Sequence, residues 1–240
     1  MLHQNYLFPG HPILQDDRYF KLSQDSVVLG AFLNVKKGER FLDLGCGIGV
    51  LTMIALIRNR GCTGVGLEIT EGAAELAAEN LVNCGLSDRS EIICRDMREL
   101  GSDLCDRFEV VISNPPYFAP TRGFSSPSEA IARARNESTG DIGDVCRAAS
   151  KALKWGGRFY VCYPPDRIAD LFEALRQNRL EPKVMRLVFP TDQKAPCLLL
   201  IEARKGGGMG LNILPSLILR RDGQKTPEFE EIYRLNTEDK

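Results

Sequence analysis

Arg40-Phe41-Leu42-Asp43-Leu44-Gly45-Cys46-Gly47-Ile48-Gly49-Val50-Leu51-Thr52-Met53 passes within one short run from strand to turn to helix. Phe41, Leu42 and Leu44 suit a buried strand, and the apolar stretch from Val50 to about Asn59 suits a helix. Between them, glycines at alternate positions permit tight turning and let backbone approach a ligand closely. A dinucleotide site would carry GxGxxG, with its third glycine at position 50, but that residue is Val50. The spacing is instead GxGxG preceded by Asp43, a carboxylate that would repel a pyrophosphate and suits a cationic amino group.

Outward from this run, short β-like segments alternate with helical ones. Thr63–Leu67, Glu91–Cys94, Glu109–Ser113 and Gly157–Cys162 read as further strands. A helix follows Thr70, its expected cap, and ends near Gly85. Other helices are expected over Asp141–Lys154 and Arg167–Asn178, the latter opened by Asp166. Such alternation implies an α/β, doubly wound, mostly parallel sheet. The end departs from it. Lys183–Phe189 and Cys197–Arg204 are joined by a Pro/Asp turn with no helix, which predicts an antiparallel pair and seven core strands in all. Residues 1–35 precede the core and contain a short helix over Ser26–Leu33, capped by Ser23 or Asp25. Residues 118–140 form an insertion after the fourth strand. Beyond the core (36–204), residues 205–240 hold a Gly-rich loop, a strand at Leu217–Arg220 and a short helix from about Pro227. The whole chain, 1–240, is expected to be one domain.

The 240 residues, 43% of them hydrophobic, suffice for a sizeable core, and no stretch approaches the length of a membrane span. The N-terminus lacks a basic-then-apolar signal pattern, so a cytoplasmic protein is expected. Eight cysteines form no CxxC pair and read as small buried hydrophobes in a reducing compartment. The two histidines, His3 and His11, leave little for Ser-His or Cys-His catalysis or a His-rich metal site, so no metal is expected. A net charge of −1 does not advertise a nucleic-acid partner.

Two more carboxylates follow in order at strand ends, where ligands of open α/β sheets bind. Glu68 closes the second strand and can accept from both hydroxyls of a ribose. Asp96 closes the third and can accept from an adenine amino group, with Met97 against the ring. Taken singly, Asp96 could equally be a helix cap and Glu68 a surface acid. Together with Asp43, which suits the ammonium of a methionine moiety, they predict S-adenosylmethionine as cofactor, held by Asp43, Gly45, Cys46, Gly47, Gly49, Glu68, Ile69, Asp96, Met97 and Asn114.

The fourth strand runs into Ser113-Asn114-Pro115-Pro116-Tyr117. A conjugated amino nitrogen, on adenine or in a glutamine amide, is a poor nucleophile because its lone pair is delocalised. The Asn114 side-chain oxygen and the Pro115 carbonyl can each accept one N–H, favouring pyramidalisation and turning the lone pair toward a methyl group. Pro115 and Pro116 fix φ and hold that carbonyl in place. Tyr117 can stack on the substrate plane, worth roughly 1–3 kcal/mol for a base. Alignment and preformed electrostatics then carry the rate without a general base.

These residues resemble the class I amino-methyltransferases with an (N/D)PP(Y/F) motif, and most closely the bacterial tRNA1(Val) (adenine-N6)-methyltransferase group. The resemblance covers most of the chain. It rests on Phe20-Lys21-Leu22-Ser23-Gln24-Asp25-Ser26-Val27-Val28-Leu29-Gly30, Asp43–Gly49, Asn114–Tyr117 and Ala132-Arg133-Ala134-Arg135-Asn136-Glu137. It continues in Lys205-Gly206-Gly207, Leu214-Pro215 and Glu228–Tyr233. It implies a Rossmann-like fold, the adenine just 3′ of a tRNA anticodon as target, and Gln24 closing over the methionine end of the cofactor, although a helix-entry role for Gln24 fits as well. The chain departs from the group in its glycine loop, Lys205-Gly206-Gly207-Gly208-Met209-Gly210, which has fewer cations, and in Ser216, where a second proline often sits.

Arg122, Arg133, Arg135, Arg147, Lys151 and Lys154 gather around the insertion. With Phe118 and Phe124 they are expected to grip RNA backbone, since a local basic face can bind phosphate despite a neutral total. The alternative is a solvated helix face paired with Glu129, Glu137, Asp141 and Asp144. Methylation of a glutamine amide in a protein, or of adenine in another RNA or in DNA, uses the same acceptors and stays open. The glutamine enzymes more often carry a separate N-terminal helical domain, for which 35 residues are too few.

Overall fold

The computed structural model describes residues 1–19, 22–116 and 141–234. In chain order these form strands β1 (Leu2–Phe8) and β2 (His11–Asp16), helix α1 (Gln24–Phe32), β3 (Arg40–Leu44), α2 (Val50–Arg58), β4 (Thr63–Glu68), α3 (Glu71–Asn83), β5 (Ser90–Cys94) and β6 (Phe108–Ser113). There follow α4 (Ile142–Ala152), β7 (Leu153–Tyr163), α5 (Ile168–Gln177), β8 (Leu180–Thr191), β9 (Leu198–Lys205), β10 (Asn212–Ile213), β11 (Leu217–Arg221), β12 (Gln224–Lys225) and α6 (Pro227–Ile232).

The central sheet has the order β12-β11-β8-β9-β7-β6-β3-β4-β5, with β10 beside β8. Strands β5, β4, β3, β6 and β7 are parallel neighbours, and β9 runs antiparallel between β7 and β8. This is the expected doubly wound core with its antiparallel strand. The sheet is wider than the seven strands expected, because β10 and β11 pair with the outer edge of β8 and β12 pairs with β11, which brings the total to ten. An exposed edge of unpaired N–H and C=O groups is a liability, and here the C-terminal segment covers it.

Alternation along the strands sends side chains to two cores. Phe41, Val110, Ile112, Tyr160 and Cys162 pack with α1, α2, α3 and α6, whereas Leu42, Leu44, Val111, Phe159, Val161 and Tyr163 pack with α4 and α5. Asp43 shares the strand face of Phe41 and therefore meets α2.

Local chemistry sets several boundaries. Gly85 (φ +65°) ends α3 with a Schellman pair, Leu86 N–H to Leu81 O at 2.9 Å and Gly85 N–H to Val82 O at 3.0 Å. Ser23 caps α1, accepting from Ser26 N–H. Asp141 and Asp144 form a capping box on α4. Thr70 stands at the cap position of α3 but makes no side-chain cap bond, contrary to expectation; its own N–H instead donates to Glu68.

The N-terminal hairpin β1–β2, which turns at Pro9-Gly10 with Gly10 at φ +79°, was not expected. It docks through Asn80 of α3, whose Oδ1 accepts from Leu14 N–H at 2.7 Å and whose Nδ2 donates to Leu14 O and Ile48 O, each at 3.0 Å. The eight free cysteines are not uniformly buried: Cys94 and Cys197 are exposed. Among the described residues no helix is long and apolar enough to cross a membrane, and no group of three or more His, Cys, Asp or Glu side chains is arranged to hold a metal ion.

Candidate active site

The Gly45–Gly49 turn is built by its neighbours. Gly45 and Cys46 N–H donate to Leu67 O at 2.8 and 3.0 Å, hooking the loop onto the end of β4. Gly49 stands at φ +87°, which a side chain disfavours, and a Cβ there would lie 3.3 Å from Ala77 Cβ. Gly49 O then accepts from Met53 N–H at 2.9 Å as α2 begins.

Asp43 is fully buried below this turn. Its Oδ2 accepts from the Thr52 hydroxyl at 2.8 Å, and its Oδ1 has no hydrogen-bond partner among the described residues. Burial pushes its carboxyl up to about 7, opposed by the Thr52 hydrogen bond and reinforced by the nearby charge of Glu68. Glu68 joins loop to helix, Oε2 accepting from Gly47 N–H and Oε1 from Thr70 N–H, both at 2.9 Å. Asp96 caps the 3-10 turn Met97–Glu99 by accepting from Arg98 N–H at 2.8 Å and pairs with the Arg98 guanidinium, which holds its carboxyl below the usual range. The capping alternative is therefore present, while Asp96 still lies at the cavity wall.

Ser113 Oγ donates to Leu44 O at 2.8 Å and so locks the ends of β6 and β3 together. Asn114 follows, its Nδ2 donating to Ser26 Oγ at 3.0 Å and its Oδ1 accepting from the Cys162 thiol at 3.0 Å.

A cavity of about 500 Å³ runs along these strand ends, a volume that suits a nucleoside-sized ligand. Of the residues singled out in the sequence, Asp43, Gly45, Cys46, Gly47, Glu68, Ile69, Asp96, Met97, Asn114, Pro115 and Pro116 all line it. Gly49 and Gln24 do not; Gly49 shapes the turn, and Gln24 opens α1 with an exposed side chain. Tyr117, Phe118, Arg122, Phe124, Arg133 and Arg135 lie outside the described residues. Of the basic group that remains, Arg147 pairs with Asp144 and Lys154 with Glu109, as a solvated face would. The Lys205–Gly210 loop sits at the far end of the sheet from Asn114: Lys205 bonds Leu153 O where β7 begins, whereas Asn114 follows the end of β6.

Sequence reading missed Arg18, Tyr19 and Ser26, which also line the cavity, and Thr52, Asn80 and Cys162, which hold its parts. Asn80 alone left a signal, as an amide inside the apolar stripe Ala73, Ala74, Leu76, Ala77 and Leu81.

Residues 35–204 match the profile of the family described as a methyltransferase domain. The chain belongs to the tRNA1(Val) (adenine(37)-N6)-methyltransferase group of that family. Among its relatives, the tRNA1(Val) (adenine(37)-N6)-methyltransferase of Bacteroides thetaiotaomicron is 31% identical over 166 residues, 69% of this chain and 68% of that one. The protein of the same name from Dickeya chrysanthemi is 28% identical over 95% of this chain and 92% of its own. In fold this methyltransferase matches the crystal structure of a predicted O-methyltransferase from Agrobacterium tumefaciens, with a TM-score of 0.73 at 23% identity, covering 88% of this chain and 95% of that one. The cavity of this methyltransferase fits S-adenosylmethionine in one testable respect: the orphaned Asp43 Oδ1 is an acceptor in want of a donor, and the ligand's ammonium is one.

Proposed function

We propose that this methyltransferase transfers the methyl group of S-adenosylmethionine to the exocyclic N6 of an adenine in tRNA. The observation that carries the reading is the position of Asn114-Pro115-Pro116 on the wall of the same cavity as Asp43, Glu68 and Asp96. When bound, S-adenosylmethionine supplies an electrophilic methyl group.

In this reading the chain's own residues bind, orient and accept. Asp43 would receive the ammonium at Oδ1, and Gly45, Cys46 and Gly47 would present backbone beside the methionine end. Glu68 keeps lone pairs beyond those its backbone partners use and turns them to the ribose. Ile69 and Met97 flank the adenine ring, and Asp96 accepts from its amino group. Asn114 Oδ1 and Pro115 O accept the two N–H bonds of the target amine, which frees its lone pair for the methyl carbon. Tyr117 stacks on the target base, and Phe118, Arg133 and Arg135 hold the RNA beside it; these four roles rest on the sequence. The proton left on nitrogen after transfer passes to water, so no histidine is needed. A flipped loop adenine costs only about a few kcal/mol to expose, which suits an anticodon-loop target. Residues 1–240 act as one catalytic domain without a metal, and a tRNA substrate implies work in the cytoplasm.

The test is incubation with methyl-labelled S-adenosylmethionine and, in parallel, total tRNA, DNA, or a release-factor-like protein. N6-methyladenosine in digested tRNA is the expected product. Label confined to protein would replace the reading with glutamine methylation, and label in DNA or another RNA alone would reassign the substrate.

A further inference from the structure

The Asn114 amide is held at both ends by residues remote in the chain, Ser26 on α1 and Cys162 on β7, both buried. An amide has a donor end and an acceptor end of nearly equal size, so hydrogen-bond partners rather than packing decide which way it points. A thiol is a weak donor and a weak acceptor and decides little. The Ser26 hydroxyl decides more, because of Ser23. Ser26 Oγ lies 3.1 Å from Ser23 Oγ, which also accepts from Ser26 N–H at 3.2 Å as the cap of α1. Either hydroxyl can donate between the two, and when Ser26 gives its proton to Ser23 its Oγ presents only lone pairs to Asn114.

We infer that Ser26 is a positioning residue for methyl transfer: it holds the NH2 end of Asn114 toward α1 and leaves the carbonyl oxygen as the group the target amine meets. Oδ1 carries two lone pairs, so the Cys162 thiol occupies one and the other faces the substrate. A reversed amide would set its N–H groups against those of the target, donor against donor, and could not draw the target nitrogen out of conjugation. The N-terminal helix thereby takes part in the chemistry as well as covering the cofactor cavity. The catalytic consequence rests on the proposed function; the orientation of Asn114 does not.

Ser26→Ala and Ser26→Thr in the full chain test this. Loss of one orienting hydrogen bond is expected to lower kcat on tRNA about tenfold in Ser26→Ala. The affinity for S-adenosylhomocysteine by calorimetry should stay within about twofold, since the bond removed is to Asn114 and not to the ligand. Ser26→Thr, which keeps the hydroxyl, should recover most of the rate. Independently of substrate, the side-chain NH2 resonances of Asn114, identified by their absence in Asn114→Ala, should shift in Ser26→Ala and return in Ser26→Thr. An unchanged kcat, a fall in affinity that accounts for the rate loss, or unshifted amide resonances would each overturn the inference. If the unaltered protein methylates no adenine, the proposed function fails, and the resonances still decide the orientation.

Discussion

The Thr52 hydroxyl donates to Asp43 Oδ2 at 2.8 Å across the buried junction of β3 and α2, and Asp43 Oδ1 is left without a partner. A fully buried carboxylate with one satisfied oxygen is poised for a ligand that brings a donor and a positive charge.

A pH dependence follows. Burial raises the Asp43 carboxyl from 3.8 to about 7 in the folded protein, so between those values the folded state holds a proton that the unfolded state has lost. This group's contribution to stability therefore falls as pH rises through that window. A cationic ligand favours the ionised form, so affinity for S-adenosylhomocysteine should rise with pH below about 7, by at most about tenfold per unit, and then level off. Calorimetry across this range should show the slope in the unaltered protein and a flat profile in Asp43→Asn. A flat profile in both would remove Asp43 from the ligand's ammonium.

Replacing Thr52 with valine keeps its shape and removes the donor. Above the Asp43 transition this leaves a buried carboxylate with only the backbone N–H of residue 52 as donor, at a cost of about 1–3 kcal/mol. Near pH ~5, where Asp43 carries its proton, the loss should be smaller. Urea unfolding at the two pH values measures the difference, and equal losses would contradict it.

Asn80→Ala should detach the hairpin without unfolding the sheet. Three hydrogen bonds vanish, leaving Leu14 N–H, Leu14 O and Ile48 O to find water, a loss of about 3 kcal/mol. Hydrogen exchange should speed up in residues 2–16 first, while the amides of β3 and β6 stay protected.

Gly49→Ala asks a side chain to occupy φ +87° against Ala77. The strain, about 1–2 kcal/mol, should lower the melting temperature and weaken S-adenosylhomocysteine together, because the same turn shapes the cavity wall. Weakened binding with an unchanged melting temperature would mean that the ligand touches Gly49 directly.

Asn114→Ala should abolish turnover while cofactor affinity stays largely intact. Labelled transfer and calorimetry on the same preparation separate the two effects. Retained turnover would remove Asn114 from the chemistry.

The order of strands and helices was legible because it rests on local properties: apolar runs, glycines and caps act over a few residues, and strand-helix alternation permits few topologies. The carboxylates at successive strand ends were legible for the same reason, since parallel strands bring their C-terminal ends to one edge. Several features depended instead on meetings between distant segments. The Asn114 amide bonds to Ser26 and Cys162, respectively 88 and 48 residues away. The hairpin is pinned by an Asn80 that is 66 residues from Leu14. The Lys205–Gly210 loop ends up opposite the site, because β9 runs antiparallel to β7. Residue types and their spacing thus determined the reaction class and the set of candidate atoms. Only the tertiary structure decided which oxygen of Asp43 is left open and which serine faces Asn114, because a hydrogen bond is satisfied by whatever lies within about 3 Å in space, wherever it stands in the chain.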